Sequence, residues 1–94
     1  MDFEWDETKA KVNHAKHGVA FEAAPSVFRD VNRLDWADAR MDYAEERRNV
    51  IGMANGIVLH VSYTMRDGVY RLISVRRANR KERQRYGNDP QVLF

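Results

Sequence analysis

The sequence predicts an α+β domain in which two N-terminal helices pack on one face of an antiparallel sheet, in the order β-α-α-β-β-β-β-α. Three observations predict it. Helix signals, namely a capping aspartate, apolar spacings of three and four and a terminating glycine, are confined to the first third of the chain. Two tight-turn dipeptides, Asn55-Gly56 and Asp67-Gly68, then punctuate three strand-like runs. A last basic stretch returns to helical character. With 94 residues, residues 1–94 make one domain with a modest core and a thin stability margin.

Residues 3–5 form a short first strand. Asp6 caps the helix that follows, because its carboxylate can accept a bond from a free N–H of the first turn. Trp5 stands where a hydrophobic staple toward Ala10 begins. The helix runs to about His17, and Gly18 ends it in the left-handed conformation. Lys16 and His17 sit at the negative end of its dipole. A second helix over residues 20–28 places Phe21, Ala24 and Phe28 on one face. Pro25 removes a hydrogen bond past the first turn, so this helix is short, kinked or late in starting. Residues 33–36, 47–54, 57–66 and 69–77 are strands, residues 78–86 a basic helix, and residues 87–94 a tail ending in Val92-Leu93-Phe94.

Alternation assigns the faces of the sheet. Ile57, Leu59, Val61, Tyr63 and Met65 form the core face beneath the two helices, while Val58, His60, Ser62, Thr64 and Arg66 form a polar face. In the last strand, Ile73 and Val75 are expected in the core, which sends Ser74 and Arg76 to the polar face. Arg77 escapes the core only because it ends the strand. One open face thus carries His60, Ser62, Thr64, Arg66, Ser74 and Arg76, a set suited to a phosphodiester because arginine forms paired hydrogen bonds to phosphate oxygens. An ordinary solvated sheet face is the competing reading.

Charge points the same way. The net charge is only +2, yet residues 1–46 hold 6 Lys/Arg against 11 Asp/Glu and residues 47–94 hold 10 against 3. A basic surface of this kind attracts phosphate backbones. The absence of cysteine excludes disulfides and thiolate chemistry. The start MDFEWDE is acidic and resembles no secretory signal, and no apolar run is long enough for a bilayer, so a cytoplasmic protein is expected. His14 and His17 lie three apart on a helix, but zinc needs three or four ligands, so no metal and no cofactor are expected.

Several stretches in order resemble the BrnT ribonuclease toxins: Phe3-Glu4-Trp5-Asp6; Lys16-His17-Gly18-Val19 with Phe21-Glu22; Val27-Phe28-Arg29-Asp30; Asp42-Tyr43-Ala44-Glu45-Glu46-Arg47; and Ile51-Gly52. The long segment from Val61 to Arg66 and from Arg71 to Ala78 follows, then Glu82-Arg83 and Tyr86. Ala44 stands where this family commonly has glycine, and Pro25 lies inside the second helix. The resemblance implies a RelE-like fold and a toxin of a type II toxin–antitoxin system. It also implies a partner, a BrnA-type ribbon-helix-helix antitoxin that neutralises the toxin in a 2:2 complex and supplies the contact with promoter DNA.

RNA cleavage without a metal needs a base for the 2′-hydroxyl, cations for the charge on the non-bridging oxygens and help for the leaving 5′-oxygen. Arg66 and Arg76 are the first candidates for charge stabilisation, with Arg77 next, partly because arginines at such strand ends do this work in RelE-like proteins. Tyr86 is a candidate for base stacking or proton transfer, as against simple helix packing. His60 and Glu46 are the acid–base candidates, and Glu46 could equally pair with Arg47. Lys9 could approach phosphate. Arg80, Lys81, Arg83 and Arg85 line a helix able to follow an RNA backbone or an acidic antitoxin segment, with Ser62, Thr64 and Ser74 supplying further RNA contacts. The alternatives are a non-catalytic RNA- or DNA-binding module of a repressor complex, and a scaffold acting only through assembly.

Overall fold

The protein is described by a computed structural model covering residues 1–39 and 45–87. The position of Ala44 and the apolar tail Val92-Leu93-Phe94 lie outside the described residues. The elements are β1 (Asp2–Glu4), α1 (Glu7–His17), a 3₁₀ turn (Phe21–Ala23), α2 (Ala24–Arg29), β2 (Leu34–Ala37), β3 (Arg47–Ala54), β4 (Ile57–Arg66), β5 (Val69–Arg77) and α3 (Arg80–Tyr86). This order differs from the expected one by the 3₁₀ turn placed between the two N-terminal helices. Pro25 explains it. Its ring is tolerated only in a helix's first turn, so α2 starts at Ala24 and the residues before it tighten into 3₁₀ geometry. Among the described residues no helix is long and apolar enough to cross a membrane.

Local signals behave as their chemistry requires. The Asp6 carboxylate accepts from the Lys9 N–H at 3.0 Å, and Gly18 closes α1 at φ 71°. Both hairpin turns carry two successive positive φ values, Asn55-Gly56 at 51° and 79° and Asp67-Gly68 at 49° and 77°. That is the type I′ pattern that joins twisted antiparallel strands.

The sheet order is β1-β5-β4-β3-β2. It is mixed, because β1 runs parallel to β5, with Phe3 opposite Tyr70. The expectation of a purely antiparallel sheet fails there: the helices carry the chain from β1 to β2 at the opposite edge, on the reverse heading, and three antiparallel steps then bring β5 beside β1 on the heading of β1. Beyond Glu4, β1 no longer covers the edge of β5, and α1 does so instead. The buried Asn13 amide accepts from the Val75 N–H at 3.2 Å and donates to the Val75 carbonyl at 2.8 Å, standing in for a neighbouring strand.

The main core joins Phe21, Ala24, Val27 and Phe28 of the helical region to Val50, Leu59, Val61, Tyr63, Leu72 and Val75 of the sheet. Burying each large apolar side chain contributes about 1.5–3 kcal/mol. Gly52 lets α2 approach β3, since a Cβ there would meet Val27 Cγ1 at 2.9 Å and the Val27 carbonyl oxygen at 3.0 Å. Two expectations are corrected. Leu72, not Ile73, lies opposite Tyr63, because a β-bulge leaves Ile73 outside the pairing and reverses the faces of the strand's first half. Nor is the polar face open along its whole length. Ala78 and Tyr86 bury Ile51 and Val58 on the side away from the main core, with Trp36 and Met53 packed around them. The supposedly open polar face is therefore partly roofed by α3.

Candidate active site

Cross-strand register builds the polar face as three successive rungs. Ile51, His60 and Arg76 form the first, Asn49, Ser62 and Ser74 the second, and Arg47, Thr64 and Arg71 the third. Residues directly opposite in a sheet present their side chains to the same face. The first two rungs open into a pocket of about 380 Å³ lined by Trp36, Asn49, His60, Ser62, Ser74, Arg76 and Glu82.

Helix α3 delivers Glu82 to this pocket. Asn79 caps the helix through its Oδ1, which accepts from the Glu82 N–H at 2.9 Å, while Glu82 Oε1 accepts from the Asn79 N–H at 2.8 Å. The same carboxylate takes a two-pronged bond from Arg76, Nη1 to Oε1 at 2.7 Å and Nη2 to Oε2 at 2.9 Å. His60 Nε2 stands 3.6 Å from Glu82 Oε2, beyond hydrogen-bond length but close enough to feel its charge. Burial opposes ionisation of Glu82, but the bonds from Arg76 and Asn79, and His60 when it is protonated, outweigh it and hold the carboxyl below its ordinary range. His60 is only 6 % exposed and meets the Trp36 ring edge-on at 5.9 Å.

Arg76 retains donors for a ligand. A guanidinium has five N–H groups. Among the described residues Glu82 takes two and the Arg77 carbonyl a third, at 3.2 Å. The side-on fork of Nε–H and the second Nη2–H remains, the geometry that grips two oxygens of one phosphate.

Arg66 does not join this group. It stands six positions from His60 along β4, roughly 20 Å at the rise of a strand, and its guanidinium grips Glu45 through Nε at 2.8 Å and Nη2 at 2.6 Å. That Glu45 partnership raises the Arg66 pKa and, seen from the other side, lowers that of Glu45. The expected convergence of Arg66 with Arg76 is thus corrected by the length of β4 itself. Arg77 is exposed at the strand end opposite Leu59, on the helix-bearing side. Tyr86 is buried, and its hydroxyl donates to the Asp30 carboxylate, which also accepts from the Met53 N–H at 2.8 Å. Its ring has no open face on which a base could stack. Glu46 is exposed and pairs with Arg48 at 3.0 Å, not with Arg47.

The supporting polar residues divide as well. Ser62 donates to Asn49 Oδ1 at 2.9 Å and Thr64 to the Glu46 carbonyl at 2.8 Å, while Ser74 lines the pocket. On α3, Arg80 and Lys81 are exposed, Arg85 lies over the Trp36 ring at 4.7 Å, and Arg83 turns inward to the Ala78 carbonyl at 2.9 Å.

Sequence reasoning missed Glu82, Trp36 and Asn49. For Glu82 a signal existed: Asn79 followed three residues later by a glutamate is a helix-start pattern that fixes the acid on the first turn. Trp36 and Asn49 needed the strand register.

Residues 5–82 match the family described as ribonuclease toxin, BrnT, of type II toxin–antitoxin system. No curated protein matches the chain.

Proposed function

We propose, from the premise that this chain belongs to the family of BrnT ribonuclease toxins of type II toxin–antitoxin systems, that it cleaves RNA in the pocket of His60, Arg76 and Glu82. The observation that carries this reading is the arrangement of one carboxylate between a guanidinium with two spare N–H groups and an imidazole, all opening onto one cavity.

The roles follow from that geometry. The Arg76 side-on fork binds the non-bridging oxygens and stabilises charge as it builds on them. The His60 imidazole takes the 2′-hydroxyl proton, since histidine exchanges protons near neutral pH. The 2′-oxygen then bonds to phosphorus and the bond to the 5′-oxygen breaks. Glu82 stabilises the imidazolium and keeps Arg76 oriented. The departing 5′-oxygen takes a proton from solvent, leaving a 2′,3′-cyclic phosphate and a 5′-hydroxyl. No metal enters these steps. Trp36 offers an aromatic edge for a neighbouring base. In this reading the fold is RelE-like, and a BrnA-type antitoxin neutralises the toxin by covering the basic face beside α3.

Expression is expected to arrest growth, and the purified protein to cut RNA with those termini in the presence of a chelator. Arg76→Ala and His60→Ala lose both effects while retaining the parent's fold by circular dichroism. Full cleavage by both variants overturns the site. One observation favours the non-catalytic RNA-binding reading, namely that Arg66 and Arg76 both carry carboxylate partners. A parent protein that binds RNA but cuts none, even with ribosomes added, decides for it.

A further inference from the structure

The third rung of the polar face opens into a second cavity of about 200 Å³, lined by Asp6, Lys9, Glu45, Arg47, Thr64, Arg66, Arg71, Leu72 and Ile73. Four cations meet there. Two carboxylates, Asp6 and Glu45, share the lining, and Glu4 reaches Arg71 from outside at 3.6 Å. Each of the three acids already serves the protein. Asp6 caps α1, Glu45 occupies one fork of Arg66, and Glu4 sits on the parallel strand. Among the described residues of the lining, four cations face two carboxylates, a balance that favours an anionic ligand.

The β-bulge is what creates this cluster. Without the extra residue at Ile73, Arg71 would point toward the main core. With it, Arg71 stands beside Thr64 and Arg47 on the face that carries His60 and Arg76. Bulges re-aim side chains in this way. The two cavities lie four residues apart along β4, about 13 Å, and the polar rung of Asn49, Ser62 and Ser74 lies between them in the register.

We infer that the cavity of Lys9, Arg47, Arg66 and Arg71 is a second phosphate subsite, holding the backbone of the same single-stranded RNA a short distance from the linkage cleaved at His60 and Arg76. This rests on the ribonuclease reading of the first pocket. It assigns Arg66 to substrate binding and not to the chemical step, and it makes the substrate a strand longer than a dinucleotide. An acidic protein segment is the rival occupant. RNA is favoured because the cluster continues the reaction pocket along one face of the sheet.

The test uses the full chain, a dinucleotide, and single-stranded oligonucleotides of increasing length. A parallel set carries a 2′-deoxy sugar at the cleaved linkage, so binding is read without reaction. In the parent, kcat/KM is expected to rise in a step once the strand spans both cavities. Lys9→Ala and Arg71→Ala each reduce that length-dependent gain about tenfold, mainly through KM, as expected for one lost charge-assisted contact. Each also lowers the salt dependence of binding by about 0.7 in the log–log slope. Lys11→Ala removes a charge from the other side of α1 and keeps the parent's gain.

No step with length, or an undiminished step in both variants, overturns the subsite. So does unchanged RNA binding together with weaker binding of a co-expressed antitoxin, which makes the cavity a protein dock. If the parent cuts nothing yet the uncleavable strand binds with the Lys9- and Arg71-dependent slope, the chemistry assigned to the first pocket fails and the subsite stands.

Discussion

Replacing Tyr86 by phenylalanine separates packing from catalysis at the residue whose placement differs most from expectation. The ring is 6 % exposed and belongs to the small core under α3, so Phe preserves the buried area. What is lost is the hydroxyl's bond to the Asp30 carboxylate. A hydrogen bond to a charged group contributes about 1.5–3 kcal/mol. Asp30 keeps the Met53 N–H at 2.8 Å and the Asn32 N–H at 2.9 Å, so its charge is not orphaned and the cost falls at the lower end, about 1.5 kcal/mol. For a domain of this size that is a drop of roughly 6–12 °C in Tm. The loss should be concentrated in α3, a helix of 7 residues that cannot persist without its docking contacts. Amide exchange of α3 is therefore expected to accelerate about tenfold, the ratio that 1.4 kcal/mol sets, while the β3–β4–β5 amides change less. RNA cleavage, measured well below the transition, is expected to persist. Cleavage abolished with Tm and exchange unchanged would return Tyr86 to the reaction and refute the packing account.

Other outcomes follow from single contacts. Gly52→Ala should cost about 1–3 kcal/mol in urea unfolding, and Val27→Ala in the same chain should restore only part of it, because the Val27 carbonyl oxygen as well as its Cγ1 obstructs the new methyl. Asn13→Ala leaves the Val75 N–H and carbonyl without the amide that paired them, so about 2–3 kcal/mol should be lost, seen as a lower urea midpoint with an unchanged m-value. Acid should unfold the protein through Glu82 and Asp30, whose carboxyls both titrate below their ordinary values of 4.5 and 3.8. A depressed folded pKa gives stability that is complete above the unfolded value and is lost as pH falls through the folded one. The decline should thus begin near pH 4.5 and continue downward, and Glu82→Gln should flatten it in urea titrations across that window.

The elements were legible because each carries its own local chemistry: Asp6 and Gly18 bound α1, and Asn55-Gly56 and Asp67-Gly68 allow only tight hairpins. Faces were legible in the middle of β4, where Leu59, Val61 and Tyr63 enter the main core, but not at its ends, where Ile57 and Met65, expected there too, are exposed. They were not legible in the first half of β5, because nothing in Arg71-Leu72-Ile73-Ser74 announces a bulge. Strict alternation buries Ile73, and only pairing against Ser62 and Tyr63 shows Leu72 taking that place. The same limit split the candidate site. His60 and Arg76 were placed together because the apolar Val75 belongs in the core, which sends Arg76 to the polar face; the Asp67-Gly68 hairpin alone, with Arg66 opposite Val69, would set His60 opposite Val75, and the bulge shifts that pairing to Arg76. Arg66 was grouped with them because alternation gives the face of a side chain and says nothing of its distance along the strand. Tyr86 was misread for a further reason: its partner Asp30 is 56 residues away in sequence, and contacts of that span leave no periodic trace.

Glu82 shows how folding and chemistry are joined in this chain. One carboxylate closes the capping box of α3, grips Arg76 and faces His60. Remove it and the capping box keeps the Asn79 half but loses the bond to the Asn79 N–H, the guanidinium loses its orientation, and the imidazole loses its counter-charge. The reverse also holds. If α3 undocks from Ile51 and Val58, Glu82 leaves the pocket with it, and Arg76 and His60 lose the group that relates them. The pocket therefore exists only to the extent that this short helix is seated. Its seating depends on a small second core, the Tyr86 bond to Asp30 and the Arg85 contact with Trp36, a much smaller set than holds the main core. A partner that bound the basic outer surface of α3 could silence the pocket in two ways, by covering it or by drawing the helix off the sheet, and the second requires no contact with His60 or Arg76 at all.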